Sequence, residues 1–280
     1  MSTRTTTTTT TTRIRTSTPT RIEIVATRDG SVTRLTRLAG RGLLRARMLP
    51  ADGDVARVAL VQTAASLLTG DRVQIDVRCG PGARLRLVDV AAIVAHDVRG
   101  GDPAEMDVRL EVGARARLEW DAQPFVLVAG ADVRRHTEVE LRGGGAALLR
   151  DTLVLGRARE LAGRLVTSTE VVRDGRPLHV ESLDTGDVGL LRSPAVIGGA
   201  KVIDTLALYG ARAEDAAAFQ LAGPGSIRPT LARSLADAER GTGPVRAAWR
   251  AALLGQDAGA TVSALPSVSS FRSGRSAALS

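Results

Sequence analysis

The side chains best suited to chemistry are few in this chain of 280 residues, which has three histidines and one cysteine. His136 alternates with Glu138 and Glu140 in RRHTEVEL, and His179 alternates with Glu181 in RPLHVES. Residues two apart on a strand share one face and lie roughly 7 Å apart, and imidazole with carboxylate suits a borderline divalent cation. Each set is a candidate metal site, and the alternative for each is a solvated strand face without metal contact.

Cys79 and His96 are weaker candidates for ligands. Cys79 continues the apolar alternation of RVQIDVRC, where a buried free cysteine acts mainly as a small hydrophobe. His96 ends the apolar run VDVAAIVAH and is predicted to lie at the edge of the core. A single cysteine also excludes an intramolecular disulfide and a zinc site built from several cysteines.

No group of residues forms a recognisable catalytic set, so the chain is predicted not to be an enzyme. A nucleotide-binding phosphate loop needs lysine followed by Ser or Thr, and the single lysine, Lys201, is followed by Val202. Neither G-x-S-x-G nor H-E-x-x-H occurs, and three histidines leave little room for a histidine-based triad. Paired carboxylates in a pocket remain available, so a β-sandwich hydrolase is the alternative among enzymes.

Composition bounds the partners of the chain. The formal charge of +8 comes almost wholly from arginine and suits acidic proteins, nucleic acid or anionic lipid. The arginines are interspersed with Asp and Glu, and aromatic residues make up only 2%, which leaves little for stacking on bases. No apolar stretch approaches the roughly 20 residues needed to span a bilayer. We therefore predict a cytoplasmic protein with no nucleic acid and no membrane partner, and an arginine-rich nucleic-acid binder is the alternative.

A period of two dominates residues 21–205 and predicts a β-rich body. Three strands run into a Gly-Ala corner followed by another apolar strand, in RCGPGARLRLV, EVGARARLEW and RGGGAALLRD, with Ala83, Ala114 and Ala146 in matching places. Glycine supplies the positive φ that a tight reversal needs, so Gly82 and Gly113 are predicted to be structural. The repeat predicts a mainly β fold, either a stacked sandwich or a β-helical solenoid, and spacing alone does not separate the two.

After residue 205 the composition predicts a short helical segment over 206–256. The Ala-rich run 211–221 favours one helix, and Pro229 and Pro244 are each predicted to open another. Val245, Trp249 and Leu253 form an apolar stripe that is a candidate partner-binding surface, unless Trp249 packs on the β body. The Thr-rich residues 1–20 and residues 257–280 are predicted to be disordered or flexible tails.

Five segments, in order, resemble the UreD (UreH) family of urease accessory proteins. They are LLTGDRVQIDVRCGPGARLRL, GARARLEWDAQPFVLVAGADVRRHTEVEL, GGGAALLRDTLVLGRA, VVRDGRPLHVESL and the late VRAAWRAALLG. Together they cover about two-thirds of the chain. The chain departs from the family at residues 88–96, where a polar strand of the family is replaced by the mostly apolar VDVAAIVAH.

The resemblance implies a β-helical body with helices near its C-terminal end and a role in delivering nickel to urease. It implies three partners: a UreF-like helical accessory protein, a UreG-like GTPase bound through it, and the urease apoprotein. No cofactor is implied as permanently bound, only nickel in transit. A protein that passes nickel onward should hold it loosely, which favours carboxylate and imidazole over thiolate and places the two strand faces before Cys79.

Overall fold

The computed structural model describes residues 19–64 and 66–255. The predictions for the two tails therefore fall almost wholly outside the described residues. The strands in sheets and hairpins are β1 (Thr20–Asp29), β2 (Val32–Arg41), β3 (Leu44–Asp52), β4 (Val55–Gln62), β5 (Arg72–Cys79), β6 (Arg84–Asp89), β7 (Ile93–Ala95), β8 (Ala104–Val112) and β9 (Arg117–Asp121). They continue as β10 (Phe125–Leu127), β11 (Asp132–Leu141), β12 (Ala146–Leu155), β13 (Arg164–Arg173), β14 (Arg176–Asp184), β15 (Val202–Tyr209), β16 (Phe219–Gln220) and β17 (Gly225–Ala232), and the helices are α1 (Val188–Leu191) and α2 (Leu235–Gly255).

The strands form two stacked sheets. Sheet A has the order β14-β13-β11-β8-β5-β1-β2, and sheet B has the order β16-β17-β15-β12-β9-β6-β4-β3. The central strands of both sheets pair in parallel, because the chain moves from one sheet to the other at each corner and returns one strand further along. In each of the pairs β5–β6, β8–β9 and β11–β12, the first strand belongs to sheet A and the second to sheet B, which is the course of a solenoid. The predicted mainly β, stacked fold is confirmed, and the solenoid is the form it takes.

Three corners of the solenoid, residues 80–83, 113–116 and 142–145, lie directly on one another. Gly113 donates its N–H to the carbonyl of Cys79 at 2.8 Å, and Arg142 repeats this bond to Val112 at 2.9 Å. Arg84 lies beside Arg117 and Arg117 beside Ala146, so Ala83 and Ala114 do not occupy equivalent places. The repeat predicted from sequence is real, but its predicted register was wrong by two positions at the second corner and by one at the third, because Ala83 is equivalent to Ala116 and Gly145.

Glycine is needed at these corners for two different reasons. Gly82 has a φ of 66°, as expected, whereas Gly113 does not adopt a positive φ. A Cβ on Gly113 would lie 2.9 Å from the backbone nitrogen of Pro81, and one on Gly145 would lie 2.5 Å from the carbonyl oxygen of Gly113. Stacked corners approach so closely that a side chain does not fit between them.

The hydrophobic core lies between the sheets and is built from aliphatic side chains. Inward residues alternate with outward ones on each strand, so that Ile22 and Ile24 of β1, and Leu85 and Leu87 of β6, are at most 1% exposed. Burial of such side chains is the main favourable term in folding, at about 25 cal/mol per Å² of apolar surface.

The region after residue 205 differs from its prediction. β15 crosses the predicted boundary, and residues 211–221 are turns and a short strand rather than a helix. These residues are held by polar side chains, with Asp215 accepting from Arg228 at 2.7 Å and Ser226 accepting from the N–H of Ala213 at 2.9 Å. Local Ala content favoured a helix, but these tertiary contacts decide the conformation.

Pro229 and Pro244 do not open helices. Pro229 lies in β17, whose pairing with β16 involves only Ile227 and Ser226, so the proline occupies an unpaired edge where its missing N–H costs little. Pro244 lies inside α2, a single helix of 21 residues where two were predicted. Ser234 begins this helix by accepting from the N–H of Asp237 at 3.2 Å. Among the described residues, no helix is both long and apolar enough to cross a membrane.

Candidate functional site

A cavity of about 150 Å³, lined by apolar and polar side chains, lies between the two sheets where sheet B is interrupted. Strands β6 and β9 break off after Asp89 and Asp121, and sheet B resumes as the short parallel strands β7 and β10. Residues next to these breaks, such as Asp89, Gln123 and Phe125, line the cavity. Its polar wall is completed from β11 to β15 by Arg135, Thr137, Asp151, Thr167, Thr169, Glu181, Thr205 and Tyr209.

An ion pair joins the two sheets across the cavity. Arg135 points inward from β11 and donates to both carboxylate oxygens of Asp151 on β12, at 2.9 and 2.5 Å. It also donates to Thr167 Oγ1 at 3.1 Å, and its guanidinium lies 5.3 Å from the centroid of the Phe125 ring. The Arg135 side chain is 11% exposed and that of Asp151 is 44% exposed, so the carboxylate also reaches solvent.

Of the candidate pair His179 and Glu181, the glutamate lines this cavity. Glu181 faces the cavity, and its Oε2 lies 3.4 Å from Nε2 of His179. Hydrogen bonding to His179 lowers the pKa of Glu181 against the opposing effect of burial. The imidazole stacks on Tyr209, with 5.7 Å between ring centroids. The sequence therefore located one of the carboxylates of the cavity, and the side chain of Glu181 is 59% exposed.

Asp89 is the carboxylate at the break in sheet B. It accepts from Trp120 Nε1 at 3.1 Å and from the N–H of Gln123 at 3.2 Å. Burial raises the pKa of Asp89 to about 6, with a smaller contribution from the charge of Asp121, even though both hydrogen bonds favour the ionised form. The mostly apolar segment 88–96 therefore still places a titratable group in the cavity.

The other candidate set lies on the opposite face of sheet A. His136 Nδ1 lies 2.8 Å from Ser168 Oγ on the outer surface. Glu138 accepts from Arg109 at 3.0 Å, and Glu140 accepts from Arg142 at 2.8 Å. The structure thus separates the two candidate sets by the thickness of a sheet. Within residues 19–64 and 66–255, no three side chains of His, Cys, Asp or Glu are grouped closely enough to hold a metal ion together.

Cys79 and the helical stripe are both buried. Cys79 is 1% exposed, and burial raises the pKa of its thiol to about 12. Trp249 and Leu253, 2% and 1% exposed, pack with half-buried Val245 against the outer side of sheet B. The structure therefore favours the alternative left open by the sequence, in which Trp249 packs on the β body rather than contacting a partner.

Below α2, a buried ionic cluster links the helix to sheet B. Asp204, which is 0% exposed, accepts from Arg150 at 2.9 Å, Thr152 at 2.7 Å and Thr242 at 2.6 Å. Burial alone would raise the pKa of Asp204, but these three hydrogen bonds lower it below its ordinary value. Arg150 also binds Glu239 of the helix at 2.8 Å. The cluster fixes the position of α2 on the sheet.

Sequence analysis missed Arg135, Asp151 and Asp89 as cavity residues. A signal was present for Arg135, because it occupies an inward position of the alternation in DVRRHTEVEL where the other inward residues are uncharged. A charged side chain at an inward position needs a partner or a polar cavity. No comparable signal marked Asp151 or Asp89, because their surroundings come from strands distant in sequence.

Carboxylate and hydroxyl groups in one partly enclosed cavity, with the imidazole of His179 beside Glu181, can bind small cations weakly, since each carboxylate already has an internal partner. These features define a class of protein: a β-solenoid scaffold with carboxylates in an internal cavity and a helix packed on its outer face.

Comparison with known proteins identifies the particular family. Residues 19–276 match the family described as UreD urease accessory protein. A protein of Streptomyces griseus named urease accessory protein UreD 1 is 42% identical over 68% of this chain and 74% of its own length. Urease accessory proteins UreD of Xanthobacter autotrophicus and Streptomyces coelicolor are 36% and 33% identical, over 69% and 75% of this chain and 68% and 88% of their own lengths. The chain belongs to the UreD family of urease accessory proteins.

Proposed function

We propose that this accessory protein delivers nickel to the urease apoprotein and that the cavity between its sheets is the passage for the ion. The observation that supports this most directly is the placement of Asp151, Glu181 and Asp89, with several threonine hydroxyls, along one cavity of an otherwise aliphatic solenoid, where Asp151 and Glu181 are 44% and 59% exposed and reach solvent. Asp89 and Arg135 are largely removed from solvent, and burial of charged groups costs free energy unless they have partners.

The internal partners of the carboxylates suit a passage better than a storage site. Arg135 neutralises Asp151, and His179 hydrogen-bonds to Glu181, so an entering cation must compete for each oxygen ligand. Competition of this kind keeps affinity low and dissociation fast. A site of three or four free ligands would trap a divalent ion instead.

The proposal assigns the remaining steps to partners in the cytoplasm. A UreF-like helical accessory protein binds this chain, a UreG-like GTPase joins through it, and the complex docks on the urease apoprotein. The absence of a lysine-based phosphate loop from the sequence is consistent with GTP hydrolysis by a partner. Nickel is cargo in this scheme, and no cofactor stays bound.

The proposal is tested by urease activation in cells at limiting nickel. Asp151→Asn/Glu181→Gln removes the two carboxylate charges from the cavity with little change in shape, and we expect at least a fivefold loss of active urease with intact complex assembly. The matched control is Glu138→Gln/Glu140→Gln, which removes two charges from the outer face of sheet A. Cys79→Ala serves as a second control, because a buried neutral thiol should not contribute.

Melting temperatures and pull-down of the accessory proteins and urease are measured for every variant. Normal activation by a folded, assembled Asp151→Asn/Glu181→Gln protein would contradict passage of nickel through this cavity. Loss of activation in the outer-face control would indicate that His136 and its neighbours form the route instead.

A further inference from the structure

The outer face of sheet B is only partly covered by α2. The helix packs on β12 and β15 through Trp249 and Leu253 and on β17 through Ala238, and its last turns reach β9, where Arg250 lies 2.8 Å from Glu119. Arg250 also lies 3.6 Å from Asp52 in the hairpin between β3 and β4. On the side of Arg250 away from the helix, no element of the described residues covers the outer face of β3, β4 and β6.

The covered half shows how a helix binds this sheet. Small and aliphatic side chains such as Ala146 and Leu148 receive Trp249, and an arginine of the sheet, Arg150, binds a carboxylate of the helix, Glu239, at 2.8 Å. The contact thus combines an apolar strip with arginine–carboxylate pairs, which are directional and bind through charge-assisted hydrogen bonds.

On the uncovered half of the sheet, as on the covered half, arginines lie next to small or aliphatic side chains of the neighbouring strand. Arg47 lies beside Ala59 on the neighbouring strand, and Ala59 lies beside Val88. Arg45 lies next to Val61 in the same way. Arg57 completes the set. The surface presents the half-buried Val61 and Val88, with Ala59 only 3% exposed between them, bordered by Arg45, Arg47 and Arg57, and we call it the arginine face.

The arginines of this face lack carboxylate partners. No Asp or Glu of residues 19–64 and 66–255 forms an ion pair with Arg45, Arg47 or Arg57, whereas Arg86 on the next strand pairs with Glu119. Arg57 Nε is buried without a hydrogen-bond partner, and Arg47 is exposed. In contrast, the arginines on the outer face of sheet A mostly alternate with partners, as in Arg72–Glu105 and Arg109–Glu138.

We propose that the arginine face is the docking site for an acidic amphipathic helix of a partner protein, which packs beside α2 on the same sheet. Carboxylates of that helix bind Arg47 and Arg57, and its apolar side chains cover Val61 and Val88. A protein helix fits better than nucleic acid, because β3, β4 and β6 carry no aromatic side chain for base stacking and the valines offer an apolar strip to cover. The inference does not depend on the passage of nickel through the cavity.

Crosslinking identifies the occupant. Leu49→p-benzoylphenylalanine places a photoreactive group on β3, on the same face of sheet B as Arg47 and beside Arg57 of the neighbouring strand. Val180→p-benzoylphenylalanine on β14 is the control, since Val180 is 68% exposed on the other sheet. Each variant is irradiated in cells that express the urease subunits and the other accessory proteins, and crosslinked peptides are sequenced by mass spectrometry. We expect the Leu49 variant alone to label a helical segment rich in Asp and Glu.

Charge reversal then tests the contact directly. The labelled segment is synthesised as a peptide, and its affinity is measured for the wild-type chain and for Arg47→Glu/Arg57→Glu. We expect at least tenfold weaker binding, restored when the contacting acidic residues of the peptide are changed to lysine. Arg41→Glu/Arg134→Glu, which reverses two charges on the outer face of sheet A, should bind as the wild type does.

Three results would overturn the proposal. They are labelling of nucleic acid from position 49, labelling no different from that of the Val180 control, and unchanged affinity in folded Arg47→Glu/Arg57→Glu. Melting temperatures confirm folding, and Arg47→Glu alone, at an exposed side chain, provides a variant whose folding is not at risk. Nickel is absent from the peptide assay, so its result is independent of the nickel proposal.

Discussion

The interior of the solenoid differs between its first turns and its last. One inward row of side chains crosses six neighbouring strands of sheet A, and each member lies beside the next. Its first three members are aliphatic and its last three are polar, in the order Ile22, Ile75, Val108, Thr137, Thr169 and Glu181. Every member of the row lies in a paired β-strand, and the members differ only in their side chains.

The difference shows how a repeating fold divides stability from function. In a solenoid each turn contacts mainly its neighbours, so one end can be packed for stability while the other holds polar groups. The turns from β1 to β9 form the aliphatic end, except for the ends of β6 and β9 at the break in sheet B. The turns from β11 to β15, together with Asp89 at that break, form the cavity end, where Arg135 and Asp151 replace a packed core.

Truncation of a leucine at each end should give the largest difference between them. Leu118 of β9 is fully buried in the aliphatic core, whereas Leu153 of β12 borders the cavity. Leu118→Ala should lower the free energy of unfolding by about 4 kcal/mol, and Leu153→Ala by about 2 kcal/mol, because fewer contacts are lost beside existing space. Urea denaturation measures both values. Equal losses would show that the two ends are packed alike.

The titration of Asp89 should distinguish the cavity end by its pH dependence. Its pKa is about 6 in the folded protein and about 3.9 in an unfolded chain, so folding disfavours the ionised carboxyl. Stability from this group is complete below pH ~4 and is lost as pH rises through about 6, by up to ~3 kcal/mol for a shift of about two units.

The comparison of wild type with Asp89→Asn isolates this effect. The free energy of unfolding of the wild type, relative to that of Asp89→Asn, should fall between pH 4 and pH 7. Asp107→Asn, at an exposed carboxyl on the outer face of sheet A, is the control and should give no such trend. If the difference in unfolding free energy between wild type and Asp89→Asn does not change across this pH range, the carboxyl of Asp89 is better solvated than its burial indicates.

The stacked corners join the two ends, and a substitution there should have a smaller effect. Gly113→Val places a Cβ 2.9 Å from the nitrogen of Pro81 and should cost about 2 kcal/mol through displacement of the backbone. Gly199→Val is the control, since a Cβ there meets nothing within 4 Å and the φ is not positive. Equal melting temperatures for Gly113→Val and the wild type would show that the corners can separate without cost.

The sequence predicted well what depends on local alternation. It indicated the strands around Val73, Ile75 and Val77 and the corner at Gly82, because period two and glycine report which face a residue occupies. It did not separate sandwich from solenoid, because that choice depends on which strands pair. Parallel pairing between β5 and β8 leaves no mark in either strand alone.

The candidate site was harder to predict for the same reason. Alternation placed His136 and His179 on strand faces, but only the three-dimensional pairing decides which face is the interior. Asp151 becomes a cavity residue only because Arg135 lies opposite in the other sheet. In the C-terminal part, the Ala-rich residues 211–221 had helical composition, yet side-chain bonds such as Arg228–Asp215 hold them as turns.

The close stacking of corners 80–83, 113–116 and 142–145 has a consequence for how the chain can change in length. Each of these corners has four residues, and Gly113 and Gly145 leave no room for a fifth between neighbouring turns. The connections on the opposite side of the solenoid differ in length, as in 63–71, 90–103, 122–131 and 156–163. Insertions and deletions among relatives should therefore collect on that side, and a peptide tag or a fluorescent label is best placed there.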